Sequence, residues 1–394
     1  MPSWLLVIPV LSLLVFIHEL GHFLTAKKFG IKVTEFGFGF PPRIWGITFG
    51  ETRYSINLIP LGGFVKMVGE EDPTEPRSFA RQSILKRSIV LIAGSFMNLI
   101  LPIIIFTIIL TLPHDTLVGT VTISGVAPNS PAEVSGLRQG DAILEVNSLK
   151  ISNHMDLVKE ISRLKGTKVE LLVRKNGSSL GILGSPEFTS SEYVYITPRI
   201  NPPSLKVVNE VSVPEEEIEL SKAQQYNPSL EIGDTLQQGS LGVLIGTSNG
   251  KIIKDSLPLQ QSIPTSFSKM GDVISFSAQG IGNLFSKGEN PGLTGPIGIA
   301  QVTGEVAKVG IAPIFELTAL ISISLGIVNL LPIPALDGGR LMFVLLEGIR
   351  GGRRISPEKE GLIHLAGFML LIGLVVVMSY FDIVRIIRGD SFFR

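Results

Sequence analysis

Two histidines four residues apart, with a glutamate between them, are the residues best placed to do chemistry: His18-Glu19-Leu20-Gly21-His22. On a helix, positions i and i+4 share a face, about 6 Å apart along the axis. Two imidazoles so arranged can hold one zinc ion, and the Glu19 carboxylate stands beside the coordination place left to water, as a general base. The pentapeptide closes an apolar stretch that starts near Trp4 and carries no charge before His18. Polar groups inside a membrane span are costly and functional by default, and one shared cation serves both rings. A catalytic zinc takes a third protein ligand and keeps a fourth position open. Cysteine is absent, so that ligand is His, Asp or Glu. His114 and His154 fall in a long segment between apolar stretches, which leaves His364 and Asp337. Asp337 follows Asn329-Leu330-Leu331-Pro332-Ile333-Pro334-Ala335-Leu336. Two prolines there break a helix and free backbone carbonyls, and broken helices at membrane depth line polar cavities. That setting favours Asp337, with His364 as the alternative.

The elements that must position these groups are mostly apolar helices. Of 394 residues, 45% are hydrophobic and 17% charged, against roughly 25% charged in soluble domains. Lys plus Arg is 34 and Asp plus Glu is 34. The apolar composition excludes a disordered chain, and the charge balance speaks against a nucleic-acid partner. Four stretches reach the roughly 20 residues a span needs: Trp4–Leu24, Ser88–Leu112, Glu316–Asp337 and Leu362–Phe381. The first lacks the basic start of a cleaved signal and is expected to stay. Lys and Arg crowd the loop from Thr25 to Arg87 and the short loop from Arg340 to Lys359. Both read as cytoplasmic. The N-terminus, the segment from Pro113 to about Ala312 and the C-terminus are then outside, with Arg385 and Arg388 against the bias.

The expected organisation is 1–112 for two spans, 118–200 for a small α+β domain, 201–260 for an extracytoplasmic linker, 263–312 for an amphipathic interfacial region and 313–394 for two further spans. The interfacial helix rests on apolar positions 267, 270, 274, 278, 281 and 285. Within 1–112, Glu51–Asn57 alternates as a strand and Pro60-Leu61-Gly62-Gly63 turns into Phe64–Met67. This reads as a hairpin with an edge that an extended peptide can join.

The pair of motifs, His18-Glu19-Leu20-Gly21-His22 early and Asn329-x-x-Pro332-x-Pro334-x-x-Asp337-Gly338 late, resembles the site-2 protease family of intramembrane zinc metalloproteases. It is most similar to the bacterial group that cleaves anti-sigma factors. Glu35–Phe40, Leu58–Lys66, Gly94-x-x-x-Asn98 and Thr294–Ala300 also match. The resemblance implies zinc held by His18, His22 and Asp337, with Glu19 as base. It implies that Asn329, beside Pro332 and Pro334, steadies the substrate backbone. It likens the hairpin with Gly62 and Gly63 to the family's re-entrant β-loop, on the substrate side. Ile123–Lys175 resembles a PDZ domain through Val126–Ala132 and Gly136-Leu137-x-x-Gly140-Asp141. Only one such pattern is present, which makes this a single-PDZ type.

The fold class expected is therefore an α-helical polytopic membrane protein, with four transmembrane helices, a re-entrant β-hairpin and an extracytoplasmic α+β PDZ domain. The expected activity is zinc-dependent cleavage within or near the transmembrane segment of single-span membrane proteins, such as an anti-sigma factor. The partners are those substrates and the bilayer of a bacterial inner membrane. Two rivals share the metal ligands: a membrane metal transporter, and a membrane-anchored PDZ scaffold with a structural metal.

Overall fold

The computed structural model describes residues 2–70, 72–176, 188–212, 216–226, 230–287 and 294–388. A 3-10 turn, Ser3–Leu6, leads into α1 (Val7–Lys28), followed by β1 (Val33–Phe49), β2 (Thr52–Met67) and α2 (Ile84–Thr111). Then come β3 (His114–Val126), α3 (Pro131–Val134), β4 (Ala142–Val146), β5 (Leu149–Lys150), α4 (His154–Arg163), β6 (Val169–Asn176) and β7 (Phe188–Ile196). They are followed by β8 (Ser204–Val208), β9 (Glu217–Glu219), α5 (Leu220–Tyr226), β10 (Thr235–Gln237) and β11 (Val243–Asp255). The chain closes with α6 (Leu259–Lys287), α7 (Pro296–Val309), α8 (Ile311–Leu330), α9 (Asp337–Ile349) and α10 (Pro357–Arg388). Two units result: Met1–Pro113 with Ser256–Arg394, and His114–Asp255.

Among the described residues of the first unit, four helices are long and apolar enough to cross a membrane: α1 with its leading turn, α2, α8 and α10. The third span was expected to run to Asp337. It ends at Leu330, because Pro332 and Pro334 follow, and Asp337 opens a separate helix. The end of α1 is set locally. Gly30 takes φ +74, and the Ile31 N–H returns to the Ala26 carbonyl at 2.9 Å. This glycine-terminated cap satisfies the last carbonyls and turns the chain back under the helix. Ile31 and Ala26 are both fully buried there. They join Phe23, Val33, Phe36, Met67, Phe79, Val90, Leu91 and Val344 in one core that binds α1, the sheet, α2 and α9 together. At the far end of α9, Arg87 is 5% exposed and reaches Glu347 at 2.7 Å, which Arg354 also contacts at 3.2 Å. This pair ties the start of α2 to α9.

The sheet differs from the simple hairpin expected. Residues 43–49 pair with 52–57, but 52–57 and 63–67 do not pair with each other. The segment from Glu35 to Phe38 lies between them, facing Arg53–Ile56 on one side and Gly63–Lys66 on the other. Burial explains the insertion: Phe36 stacks on Phe23 of α1 at 4.7 Å, which draws its strand into the middle. The edge beside α1 is 63–67. Its outer turn is anchored by Glu51, which pairs with Arg77 and Lys27, and these hold its carboxyl down to about 2.

Region 263–312 also differs. Its described residues include most of α6 and all of α7, and α6 packs along α2 instead of lying across its end. Ser262 bonds Thr111 at 3.1 Å and Ser266 bonds Thr107 at 3.0 Å. Further on, Met270, Val273 and Ile274 pack with Ile105, Phe106, Ala319 and Ile323. Of the apolar face predicted for lipid, Met270 and Ile274 meet α2 and α8, while Phe267 and Ala278 are exposed. The side chains of Ile281 and Phe285, and residues 288–293, lie outside the described residues.

In the second unit the main sheet runs β11-β3-β4-β6-β7, with β5 beside β4. Its core includes Val121, Ile143, Leu157, Ile161, Leu171 and Val173, so α4 covers one face. The segment 201–260 is not a linker. β10-β8-β9 form a small sheet whose side chains Val207, Ile218 and Leu236 pack with Ala223 and Tyr226 of α5 and with Ala127. β11 then pairs along β3 from Val243↔Val126 to Asp255↔His114. Strands of 3 and 5 residues are too short to show an alternating pattern.

Candidate metal centre

His18 and His22 are buried on one face of α1. Their Nε2 atoms lie 3.1 Å apart. Asp337, the first residue of α9, brings Oδ2 to 2.9 Å from His18 Nε2 and 3.1 Å from His22 Nε2. Among the described residues this is the one cluster of three or more groups able to hold a metal ion. His364 lies apart from it, and His114 and His154 belong to the other unit.

α2 supports both rings. Gly21 and Gly94 let the helices meet: a Cβ on Gly21 would lie 2.3 Å from the Ala93 carbonyl oxygen, and one on Gly94 2.4 Å from His22 Nε2. The Val90 carbonyl oxygen is 2.7 Å from His22 Nδ1 and accepts its proton. His22 Nε2 is thereby left as a lone pair. The Asn98 amide faces His18 Nδ1 at 3.4 Å, and Asn98 Oδ1 is a buried acceptor without a partner. With the amide oxygen turned to the ring, both needs are met and His18 Nε2 is a lone pair too.

That arrangement fits zinc. Two lone pairs and a carboxylate oxygen repel at 2.9–3.1 Å unless a cation or an extra proton lies between them. Tetrahedral zinc with ligands at about 2.0–2.1 Å places neighbouring ligand atoms about 3.3 Å apart, so small outward shifts suffice. His18, His22 and Asp337 would hold the ion.

Asp337 is delivered by residues 331–336, a turn with no room to spare. A Cβ on Gly338 would come 2.2 Å from the Leu331 carbonyl oxygen, and one on Gly339 2.3 Å from that of Ile333. Pro332 and Pro334 lie in this turn, and Asn329 lies in the last turn of α8, half-buried. Glu19 is half-buried and accepts from the Val65 backbone N–H. Gly62 and Gly63 lie on α1 itself: their added Cβ atoms would meet Val15 at 2.7 Å and Phe16 at 3.7 Å. The sheet edge thus runs past α1 just before the metal ligands.

Val90 and the reason for Gly94 and Asn98 are not readable from the sequence, where only the Gly94-x-x-x-Asn98 spacing stands out. Gly94→Ala should weaken zinc binding by about 10–100-fold, the range for losing support of a ligand. Chelator competition on the purified variant measures it, and wild-type affinity would show that the rings do not need this gap.

A family model described as peptidase family M50 matches residues 6–374. A Clostridium perfringens protein named "Putative zinc metalloprotease CPE1693" is 32% identical over 375 residues, 95% of this chain and 96% of that protein. The zinc metalloprotease RasP of Oceanobacillus iheyensis is 28% identical over 461 residues, covering 95% of this chain and 97% of its own. RasP of Shouchella clausii is 28% identical over 471 residues, with 98% and 100% covered.

Proposed function

The chain belongs to peptidase family M50 and is a zinc metalloprotease, and from that premise we propose that it cuts single-span membrane proteins within or beside their transmembrane segment. One observation carries this reading: two of the three candidate ligands lie buried on α1, inside a helix apolar and long enough to cross a membrane. Substrates of such a site reach it through the membrane. An anti-sigma factor is a substrate of this class.

Held by His18, His22 and Asp337, zinc would supply Lewis-acid polarisation of the scissile carbonyl and acidify a neighbouring water. Glu19 takes a proton from the attacking water and returns it to the leaving nitrogen. Asn329 steadies the substrate backbone from the end of α8, with Pro332 and Pro334 shaping the wall beside it. A helical substrate shields its carbonyls, so its bonds must be replaced by others in an apolar setting. The 63–67 edge offers them. The Val65 N–H points out of the sheet and is taken by Glu19, and by the two-residue period Gly63 presents its N–H and C=O on the same side, where an extended substrate can pair with them.

We place the Thr25–Arg87 loop in the cytoplasm and both termini outside. Arg385, which runs against the charge bias, is paired with Asp382 at 3.2 Å. The His114–Asp255 unit, whose Ile123–Lys175 segment resembles a PDZ domain, supplies none of the three ligands. We place it outside and assign it the exclusion of partners with bulky external domains. A transporter would carry ligand clusters along a path, and a structural zinc would be closed by four protein ligands. The described residues hold one cluster of three.

One detergent assay tests the reading. The purified chain should cleave a single-span peptide, lose activity to a chelator and regain it with zinc; no cleavage of any such peptide would remove it. Proline at Gly63, which deletes one outward donor, should slow cleavage of a stable helix while zinc stays bound. Substrates with helix-breaking residues should be partly rescued, and unchanged rates would reduce the sheet to a cover. Deleting residues 120–197 should admit untrimmed substrates, and a folded deletion that still rejects them rules out size exclusion.

A further inference from the structure

The turn that delivers Asp337 is closed by two backbone bonds of its own, from the Ile333 N–H to the Leu331 carbonyl at 2.7 Å and from the Leu336 N–H to the Ile333 carbonyl at 3.2 Å, and neither uses the Ala335 N–H. Ala335 sits at φ +77, where an L side chain costs about 1–2 kcal/mol. Such a conformation persists only where its surroundings over-determine it. Two contacts from α10 add to the turn's own bonds. His364 Nδ1 accepts the Ala335 N–H at 2.9 Å. Gly367 lies so close to Pro334 that a Cβ there would come 2.4 Å from Pro334 Cβ and 2.6 Å from its carbonyl oxygen. Positions 364 and 367 share a helix face, so α10 grips the turn at two successive residues. Elsewhere α10 is mostly exposed. Its two buried residues are Gly367 and Asp382, and Asp382 accepts the Gly298 N–H at 2.8 Å near the opposite end.

We propose that His364 is a positioning residue for the metal centre: through Ala335 it fixes the turn that sets Asp337 against His18 and His22. His364 is suited to this and not to ligation. Its Nδ1 is engaged by the turn, its ring packs on Phe343 at 5.4 Å, and its Nε2 faces Glu360 at 3.8 Å. The inference rests on Asp337 being the third ligand.

The geometry asks for an acceptor at one ring position. Asn places Oδ1 where His has Nδ1, Gln places Oε1 near Nε2, and Ala has no acceptor. The full chain in detergent is compared as wild type, His364→Ala, His364→Asn and His364→Gln, with Asp337→Ala as control. Zinc release is followed by chelator competition, together with zinc per chain, thermal midpoint, kcat and KM. His364→Ala should keep about one zinc per chain yet release it about tenfold faster, with kcat down about tenfold and KM within about twofold. His364→Asn should recover both rates, and His364→Gln should not. Wild-type release and kcat in His364→Ala overturn the proposal. So does equal recovery by Asn and Gln, which would make His364 a packing residue. If His364→Ala does not fold, the comparison of Asn with Gln still decides. If Asp337→Ala keeps zinc with wild-type release, the ligand assignment has failed instead.

Discussion

Glu19→Gln should leave zinc bound at about one per chain and lower cleavage by about 10²–10⁴-fold, the range that a positioned acid–base group contributes. The substitution is close to isosteric. The Gln Oε1 can still accept from the Val65 N–H, so the sheet edge and α1 keep their contact. What is lost is basicity: an amide oxygen does not take the proton of an attacking water or hand it on to the leaving nitrogen. His18, His22 and Asp337 are untouched, so metal content should not move. The measurement is cleavage of a single-span peptide in detergent beside metal analysis of the same preparation. A rate within about tenfold of wild type would place the base elsewhere. Zinc loss would mean that Glu19 shapes the metal centre instead of serving it.

The three candidate ligands and Glu19 were legible because their signals are local or compositional. Helical spacing alone puts His18 and His22 on one face, and the prolines at 332 and 334 alone announce that the helix before Asp337 breaks. The four apolar helices follow from length and composition. What the sequence hides is what lies opposite. The Glu35–Phe38 strand enters the middle of the sheet because Phe36 meets Phe23, a contact between segments that periodicity treats separately. An apolar stripe on α6 reads the same whether it meets lipid or the side chains of Ile105, Phe106 and Ile323. The 204–237 region hides its sheet because each strand is shorter than the pattern needed to see it. Gly94 and His364 show the same limit at the site. A glycine's reason is the ring it makes room for, and His364 looks from sequence like a spare ligand, whereas in the fold it holds the turn beside the ligand.

Asp337→Ala should lose zinc outright, with affinity down by more than about 100-fold, beyond the range for residues that merely support a ligand. Oδ2 of Asp337 touches both Nε2 atoms, at 2.9 and 3.1 Å, and brings the negative charge of the trio. Without it two neutral imidazoles face each other, and a dication would have to be held by them alone. Asp337→Asn separates charge from geometry: its amide oxygen can occupy the same place but carries no charge, so its zinc affinity should fall between alanine and wild type. Asp337 also sits in the first turn of α9, where a carboxylate favours the helix dipole by about 0.3–1 kcal/mol. Some loss of thermal stability is therefore expected in both variants even without metal, and the comparison is made on zinc-free protein first. Zinc then separates the two effects. It should raise the midpoint of wild type, because an ion that binds only the folded chain stabilises it, and should leave that of Asp337→Ala unchanged. A zinc-dependent rise of wild-type size in Asp337→Ala would move the third ligand to another residue. His364, held by the Ala335 N–H only 2.9 Å from the same turn, would be the first to examine.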